Sequence, residues 1–360
     1  EFETAKFVSK HLKSLGIKIT HKNIIYYVIG AGLTGFKTPN KHIDCGNSGT
    51  LVRILLGALG GSEIFVTITG DDSLITRPMN RVIKPLKKMG INFNSSNGML
   101  PLIINGTSEV LPIKYNSPIS SAQVKTAILL AGLNGNGTSE IIEPHSSRDH
   151  SENLLKYFGA DIKYNSKTKG KNKVSLKGGR NLKSCNISIP GDISSAAFNI
   201  VAATIIPGSD VKVKNVGINY FRKGLLEALR MMGANIKLEN KITNEYNEPI
   251  ADISVKYSKL KSIHLDSSYS ARMIDEYPIL SIAAAVAKGK SLFKGLSELR
   301  HKESDRFRGI IDGLIASGIK VEEDNDDIII YGNPSQVIGG VTINCNYDHR
   351  IAMSFLILGA

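Results

Sequence analysis

The sequence predicts an α/β protein with two domains, each built from three copies of one helix–strand unit. A phrase in which a helix, a glycine and a short β-rich run follow one another recurs along the chain. Apolar helices opened by small polar residues recur between these phrases, and 360 residues is long for a single hydrophobic core. The repeat of about 70 to 85 residues exceeds the period of solenoid proteins, so each copy is interpreted as a small subdomain.

The second helix of each unit is predicted to end at a glycine. The phrases are "KHLKSLGIKI", "KPLKKMGINF", "NLLKYFGADI", "EALRMMGANI" and "DGLIASGIKV", with glycines at Gly16, Gly90, Gly159, Gly233 and Gly318. A glycine after the last helical residue takes the left-handed conformation that ends a helix before a strand. The same glycine joint, meaning a glycine between the end of a helix and the start of a strand, is therefore expected five times.

The first helix of each unit is nearly all apolar and is expected to be buried. The five segments are "GNSGTLVRILLGAL", "SSAQVKTAILLAGL", "DISSAAFNIVAATI", "DEYPILSIAAAVA" and "YDHRIAMSFLILGA". The first copy of the repeat lacks this helix and the last copy lacks its second helix. Both copies are therefore predicted to be incomplete, and both chain ends to be cut. The segment "NISIPGD" is the predicted crossing, which gives domains 1–190 and 191–360.

Composition restricts the class of partner. The formal net charge is +13, but most lysines are scattered singly, and the 6% aromatic content with no Trp argues against nucleic-acid binding. Three cysteines without a Cys-x-x-Cys pair indicate reduced thiols and a cytoplasmic location. No apolar run reaches membrane-spanning length, so no membrane partner is expected.

The segment Gly30–Gly35, "GAGLTG", matches the dinucleotide-binding pattern G-x-G-x-x-G. That pattern requires a helix directly after it, and Pro39 follows without helical periodicity. The segment is interpreted as a turn.

Helix starts are more informative about ligands. The segments "GNSGT", "SSAQ" and "GDISS" place small residues where free backbone N–H groups can bind phosphate or carboxylate. Singly, each is typical of an ordinary helix cap. Several in one chain, accompanied by Arg53, Arg77, Arg148 and Arg350, favour an anion-binding site. The stretch "ELRHKESDR" could likewise be a solvated first turn or a ligand clamp.

Eight motifs in order give a resemblance over the whole chain. They are "GNSGTLVR", "GDDSLITRPM", "SSAQVKTAILLAGL", "RDHSENLL", "PGDISSAAF", "DEYPILSIAAA", "LRHKESDR" and "YDHRIAM". Together they resemble the 5-enolpyruvylshikimate-3-phosphate synthase family. This resemblance implies a two-domain inverse α/β barrel of βαβαββ units with buried helices inside each domain. It also implies an active site in the cleft between the domains, no cofactor, no metal and a monomer when complete.

The resemblance implies a transferase that joins shikimate 3-phosphate and phosphoenolpyruvate with loss of phosphate, in aromatic amino acid biosynthesis. The residues implied for shikimate 3-phosphate are Ser121, Ala122, Gln123, Arg148, Asp275 and Lys302. Those implied for phosphoenolpyruvate are Gly49, Arg77, Gln123, Arg306 and Arg350. Asp275 and Glu303 would serve as general base and general acid. Gly49 would leave the phosphoenolpyruvate pocket open to glyphosate.

Two expected motifs are missing from this chain. The family's opening Lys-Ser-x-x-x-Arg and a lysine beyond Arg350 have no counterpart, so the chain by itself is predicted to be inactive. The alternatives are the sister enolpyruvyl transferase that acts on UDP-N-acetylglucosamine, and a non-catalytic phosphate-binding fragment or basic nucleic-acid binder. The segments "SSAQVKTA" and "HKESDR" favour the shikimate enzyme.

Overall fold

The computed structural model describes residues 2–164 and 172–360. The chain divides into two compact units, Glu1–Asn186 and Ile187–Ala360, here called unit 1 and unit 2. Each unit has its own hydrophobic core. Alternating helices and strands throughout confirm the predicted α/β class. None of the described helices is both long enough and apolar enough to span a membrane.

Unit 1 alternates helices with short strands. Its helices are α1 (Phe2–Ser14), α2 (Gly49–Gly60), α3 (Asn80–Lys88), α4 (Ala122–Gly132) and α5 (His150–Tyr157). Its strands are β1 (Lys18–Lys22), β2 (Ile25–Ile29), β3 (Ile43–Asp44), β4 (Phe65–Thr69), β5 (Asn92–Ser95), β6 (Leu102–Asn105), β7 (Lys114–Asn116), β8 (Thr138–Glu143), β9 (Asp161–Tyr164) and β10 (Asn172–Lys177).

Unit 2 repeats this alternation. Its helices are α6 (Ile193–Ile205), α7 (Gly224–Met231), α8 (Ser270–Met273), α9 (Tyr277–Ala285), α10 (Arg306–Ala316) and α11 (His349–Leu358). Short 3₁₀ turns lie at Ser267–Tyr269, Ser297–His301 and Pro334–Gln336. Its strands are β11 (Asp210–Gly217), β12 (Asn235–Thr243), β13 (Pro249–Lys256), β14 (His264–Leu265), β15 (Gly289–Phe293), β16 (Lys320–Asp324) and β17 (Asp327–Gly332).

Three four-stranded sheets share one topology. Their orders are β3-β4-β6-β5, β7-β8-β10-β9 and β14-β15-β17-β16. In each, the first two strands are parallel, with registers such as Ile43 opposite Ile68 and His264 opposite Leu292. The remaining pairs are antiparallel. The smaller sheets β1-β2 and β11-β13-β12 are antiparallel. The internal repeat therefore has the same strand order wherever a sheet has four strands.

The predicted glycine joints are confirmed. Gly16, Gly90, Gly159, Gly233 and Gly318 all have φ between +81° and +95°. This left-handed conformation suits glycine because a β-carbon would meet the following carbonyl oxygen. The turn at Gly30–Gly35 is also confirmed, since β2 is followed by irregular chain and not by a helix.

The apolar opening helices α2, α4, α6 and α9 are largely buried, as predicted. The fifth such helix, α11, departs from the prediction. It packs on one side against α9, α10 and α6, while Leu356 is 73% exposed and Met353 is 40% exposed. Its apolar composition therefore does not translate into burial on all sides.

Close packing brings pairs of helix starts together. In unit 1, a β-carbon on Gly57 of α2 would lie 2.3 Å from the carbonyl oxygen of Ala127 in α4, so only glycine allows this approach. In unit 2, Gly309 and Gly313 of α10 lie against Ile351 and the ring of Phe355 in α11. These two contacts and the pair Arg306–Asp348 share one sequence separation, 42 residues, so α10 and α11 run side by side from their first turns.

A buried charge cluster supports α4. Lys125 is 1% exposed, and its Nζ lies 2.6 Å from Glu152 and 3.2 Å from Glu143. Burial alone would lower the pKa of Lys125, but the two carboxylates outweigh burial and raise it. Lys125 is therefore a buried ammonium group that compensates carboxylates from β8 and α5.

Replacing this ammonium should destabilise unit 1. In Lys125→Met, Glu143 and Glu152 remain buried without their cation, and loss of one partner of a buried pair costs about 3–5 kcal/mol. The matched control is Lys173→Met, which removes an ion pair with Glu140 whose lysine is 53% exposed. Thermal and urea unfolding should show a large loss of stability for Lys125→Met and almost none for the control. Equal stability of the two variants would contradict the assigned role of Lys125.

Candidate active site

The start of α4 carries three of the predicted ligand residues. Ser121 is the N-cap, and its hydroxyl accepts a hydrogen bond from the Val124 N–H at 3.4 Å. Its own N–H donates to Oε1 of Glu143 at 2.9 Å. Ala122 and Gln123 form the first turn of the helix. The capping bond uses an oxygen lone pair of Ser121, so its hydroxyl hydrogen can still be donated to a ligand.

Gln123 joins the starts of α4 and α2. Its Oε1 accepts from Nη1 of Arg53 at 2.7 Å, and its Nε2 donates to Oγ1 of Thr50 at 2.7 Å. Both ends of the amide are therefore oriented, one by a cation and the other by a hydroxyl. The close approach of α2 and α4 at Gly57 makes this bridge possible.

Gly49 lies beside two arginines. A β-carbon placed on Gly49 would lie 3.2 Å from Nη1 of Arg53 and 3.6 Å from Nη1 of Arg77. Nη2 of Arg77 donates to Oδ1 of Asn47 at 2.6 Å and to the Ser73 hydroxyl at 2.9 Å. These two hydrogen bonds orient the guanidinium beside the start of α2. The start of α2 is therefore well suited to a small anion.

Arg148 lies in the turn that connects β8 with α5. It is half-buried, and the preceding residue, Ser147, is buried. The Ser147 hydroxyl donates to Glu143, at 2.8 Å from Oε1 and 2.9 Å from Oε2. This turn and the start of α4 are thus attached to the same carboxylate.

In unit 2, one buried arginine side chain donates hydrogen bonds to three carboxylates. Arg306, the first residue of α10, is 1% exposed. Its Nε donates to Oδ2 of Asp348 at 2.8 Å and its Nη1 to Oδ1 of Asp275 at 3.2 Å. Its Nη2 donates to Oε2 of Glu303. The planar guanidinium fork therefore fixes Asp275 and Glu303 on different nitrogens.

Two further cations complete this cluster. Nζ of Lys302 lies 3.2 Å from the same Asp275 oxygen that Arg306 binds. Nη1 of Arg350 donates to the backbone carbonyl of Asp275 at 3.3 Å. Asp348 caps α11 by accepting from the Arg350 N–H at 2.9 Å, and it also accepts from the Ser304 hydroxyl at 3.1 Å. The segment around Asp275 is thus held through both its side chain and its backbone.

The buried pair Arg306–Asp348 is firmly ionised. Burial would raise the pKa of Asp348, but Arg306 and the Arg350 N–H outweigh burial and lower it. Burial would likewise lower the pKa of Arg306, and Glu303 and Asp348 reverse that effect and raise it. Arg306 is therefore a permanent cation that can orient acids without exchanging protons itself.

The start of α6, the third predicted anion site, is filled by the protein. Oδ1 of Asp192 and the Ser194 hydroxyl both accept from Nη2 of Arg222, at 2.7 Å and 2.6 Å. Ser194 in turn donates to the buried Glu276. Burial opposes ionisation of Asp192, but Arg222 and the Ser194 and Ser195 N–H groups lower its pKa. This helix start contains its own carboxylate and is not arranged like those of α2 and α4.

Within each unit, the predicted residues lie together. Unit 1 clusters Gly49, Arg77 and Gln123, and attaches Ser121 and the turn of Arg148 to Glu143. Unit 2 clusters Asp275, Lys302, Glu303, Arg306 and Arg350. The stretch "HKESDR" runs into α10: Asp305 is the cap of this helix and Arg306 is its first residue.

Sequence reasoning missed three residues of these clusters. Arg53 was noted only as a cation beside a helix start, although its hydrogen bond to Gln123 places it at the centre of the unit 1 cluster. Asp348 could have been found as the cap residue of "YDHR". Glu143 has no sequence signal, because its role depends on where the turn after β8 folds back.

Comparison with known proteins identifies the family. The family model described as "EPSP synthase (3-phosphoshikimate 1-carboxyvinyltransferase)" matches residues 5–360. A protein of Magnetococcus marinus named 3-phosphoshikimate 1-carboxyvinyltransferase is 47% identical over 350 residues, which is 96% of this chain and 77% of that protein. A protein of the same name from Parvibaculum lavamentivorans is 44% identical, covering 100% of this chain and 80% of its own length.

Solved structures agree with the sequence comparison. EPSP synthase from Acinetobacter baumannii superposes with a TM-score of 0.83 and 42% identity, over 99% of this chain and 80% of that chain. The enolpyruvyl transferase NikO from Streptomyces tendae, at 14% identity and a TM-score of 0.70, shows a shared fold. From the match over residues 5–360 and the identity to these relatives, the chain belongs to the EPSP synthase (3-phosphoshikimate 1-carboxyvinyltransferase) family.

Proposed function

We propose that this protein transfers the enolpyruvyl group of phosphoenolpyruvate to the 5-hydroxyl of shikimate 3-phosphate and releases phosphate. The observation that supports this most is the attachment of Asp275 and Glu303 to the buried Arg306. Addition and elimination at phosphoenolpyruvate need two groups that exchange protons at different atoms. Family membership supplies the substrate class, because the relatives are named for this reaction.

Shikimate 3-phosphate is proposed to bind the unit 1 residues around α4 together with Asp275 and Lys302. The Ser121 hydroxyl, the Ala122 N–H and the Arg148 guanidinium would donate to phosphate and ring oxygens. Gln123 would contact both substrates, since Arg53 and Thr50 orient its two ends. Lys302 would balance the charge that Asp275 brings to the sugar ring.

Phosphoenolpyruvate is proposed to bind Gly49, Arg77, Gln123, Arg306 and Arg350. Three guanidinium groups match its carboxylate and phosphate, whose oxygen pairs suit the planar arginine fork. Residues of both units would therefore act on the same pair of substrates. The absence of a β-carbon at Gly49 would leave room beside Arg53 and Arg77.

In the proposed chemistry, Asp275 accepts the proton of the 5-hydroxyl as its oxygen bonds to C2 of phosphoenolpyruvate. Glu303 donates a proton to C3, which gives a tetrahedral adduct. The Glu303 carboxylate then takes a proton back from C3 as the C2–O bond to phosphate breaks, and the enol ether forms. The proton held by Asp275 passes to the departing phosphate. Arg306 would keep the two carboxylates apart and neutralise charge without exchanging a proton.

A cytoplasmic monomer is also proposed. Cys45 is buried and its pKa is raised to about 12 by burial and Asp44, so it is held as a thiol. Cys185 and Cys345 are likewise free thiols in the structure. Light scattering on the purified protein under reducing conditions gives the oligomeric state.

The reaction is tested by phosphate release from the protein at its full natural length. Phosphate should appear only when shikimate 3-phosphate and phosphoenolpyruvate are both present, because the proposed chemistry needs an acceptor hydroxyl. A mixture of phosphoenolpyruvate and UDP-N-acetylglucosamine is the control and should release none. Turnover with the UDP sugar and none with shikimate 3-phosphate would refute the proposal.

The two carboxylates should be separable by substitution. Asp275→Asn and Glu303→Gln should each lower kcat by about 10²- to 10⁴-fold, the range for losing a positioned acid or base. Binding of shikimate 3-phosphate should weaken more in Asp275→Asn, since this carboxylate would contact the sugar ring. Asp312→Asn, which removes an exposed acid paired with Arg308, is the control and should keep native kcat. Near-native turnover in either carboxylate variant would remove that residue from the mechanism.

Gly49 should govern sensitivity to glyphosate. Glyphosate is expected to compete with phosphoenolpyruvate, and Gly49→Ala should raise its inhibition constant by more than it raises KM for phosphoenolpyruvate. The added methyl group would contact Arg53 at 3.2 Å and crowd a bulkier ligand first. Inhibition constants and KM of both proteins check this. A native protein unaffected by millimolar glyphosate would show that the pocket is not open at Gly49.

A further inference from the structure

Glu143 connects two segments that carry proposed ligands of shikimate 3-phosphate. It is the last residue of β8 and is 1% exposed. On one side it accepts from the N–H of Ser121, the residue that begins the α4 ligand group. On the other side it accepts from the hydroxyl of Ser147, the residue before Arg148. One carboxylate therefore sets the separation between the start of α4 and the Arg148 turn.

The contacts require a carboxylate at this position. Oε1 accepts from the Ser121 N–H at 2.9 Å and from Ser147 at 2.8 Å. Oε2 lies 2.9 Å from the Ser147 hydroxyl and 3.2 Å from Nζ of Lys125. Both oxygens thus face donors. An amide of the same shape would direct its NH₂ group towards either the Lys125 ammonium or the Ser121 N–H.

We propose that Glu143 is a positioning residue that aligns Ser121 and Arg148 for the phosphate of shikimate 3-phosphate. The inference rests on the proposed function for the identity of that ligand. Glu143 lies beneath the ligand residues and acts through them, without touching the substrate. A misplacement of about 1 Å among such groups can cost on the order of 10²-fold.

This role differs from a purely structural one because it affects one substrate. Glu143 contacts the group assigned to shikimate 3-phosphate, whereas Gly49 and Arg77 of the phosphoenolpyruvate group lie at α2 and after β4. Gln123 belongs to both groups, but both ends of its side chain are held by Arg53 and Thr50 of α2 and not by Glu143. Loss of its charge should lower stability, since Glu143 is one partner of the buried Lys125 ammonium, but it should not leave that ammonium without a carboxylate. Without Glu143, the buried Lys125 retains Glu152 at 2.6 Å, so one buried cation still faces one buried acid.

The first test is Glu143→Gln at full natural length, with Glu140→Gln as the control. Glu140 lies on the same strand and pairs with the exposed Lys173. The Kd of shikimate 3-phosphate, measured by calorimetry without phosphoenolpyruvate, should rise about 10- to 100-fold in Glu143→Gln. KM for phosphoenolpyruvate should stay close to native, whereas the melting temperature without ligand should fall, because the amide does not replace the carboxylate that faces Lys125. The control should match the native protein in all three measurements.

A second variant tests the link to the Arg148 turn. Ser147→Ala removes the hydroxyl that joins this turn to Glu143 and should weaken shikimate 3-phosphate binding by a smaller factor. The double variant should lose less than the product of the two single losses, because both substitutions break the same connection. The affinity of the single variant Ser147→Ala remains measurable even where Glu143→Gln folds poorly, since Ser147→Ala leaves the buried charges in place.

Three outcomes would overturn the inference. One is native affinity for shikimate 3-phosphate in both variants, and another is independent, multiplicative losses in the double variant. The third is an equal loss of affinity for both substrates, which would indicate a structural role alone. Failure of the native protein to bind shikimate 3-phosphate or release phosphate would instead overturn the proposed function. The native measurement thus separates that failure from a failure of the inference.

Discussion

The site depends on how closely pairs of buried helices approach each other. A ligand-binding site that is assembled from first-turn residues of two helices requires the N-terminal ends of those helices to lie side by side. Gly57 allows α2 to approach the backbone of α4, and Gly309 and Gly313 leave room on α10 for the Ile351 and Phe355 side chains of α11. The bridge from Arg53 to Gln123 and the bridge from Arg306 to Asp348 both follow from this packing. Backbone proximity, and not any single polar contact, therefore determines where the charged groups can meet.

Buried charges then fix the orientation of the side chains that this helix packing brings together. In unit 1, Lys125 compensates the acids beneath the start of α4, and Glu143 uses both oxygens to hold neighbouring segments. In unit 2, the guanidinium of Arg306 lies among three carboxylates and orients each of them with a different nitrogen. Both arrangements limit side-chain motion because a buried charge that leaves its partner loses several kcal/mol. Preorganised groups of this kind are what reaction through a charged adduct requires.

Much of this arrangement could be predicted from the sequence. The repeat, the left-handed glycines and the α/β class follow from local patterns, since helix ends and apolar periodicity depend on near neighbours. The roles of Asp275, Glu303 and the arginines came from ordered motifs and not from spacing. Arg53 was predicted as a cation beside the start of α2, but its hydrogen bond to the distant Gln123 was not. Glu143 escaped prediction because Ser121 is distant in the chain and the turn that returns Ser147 to Glu143 has no sequence signal. The exposed face of α11 was also missed, since composition reports apolar content but not the neighbours that cover it.

The carboxylate below the start of α4 also bears on how ligands are told apart. Attraction between a positive site and an anion is much the same for every phosphate-bearing metabolite of equal charge. The negative charge of Glu143, buried near the positive end of the helix, lowers this common attraction for all of them alike. In the proposed binding mode, directed hydrogen bonds from Ser121 and Arg148 would favour only a ligand whose oxygens match their positions. A loss of attraction that is equal for all these ligands leaves the difference in affinity between the matching ligand and its competitors unchanged. What it lowers is the occupancy of the site by competitors that are attracted by charge alone.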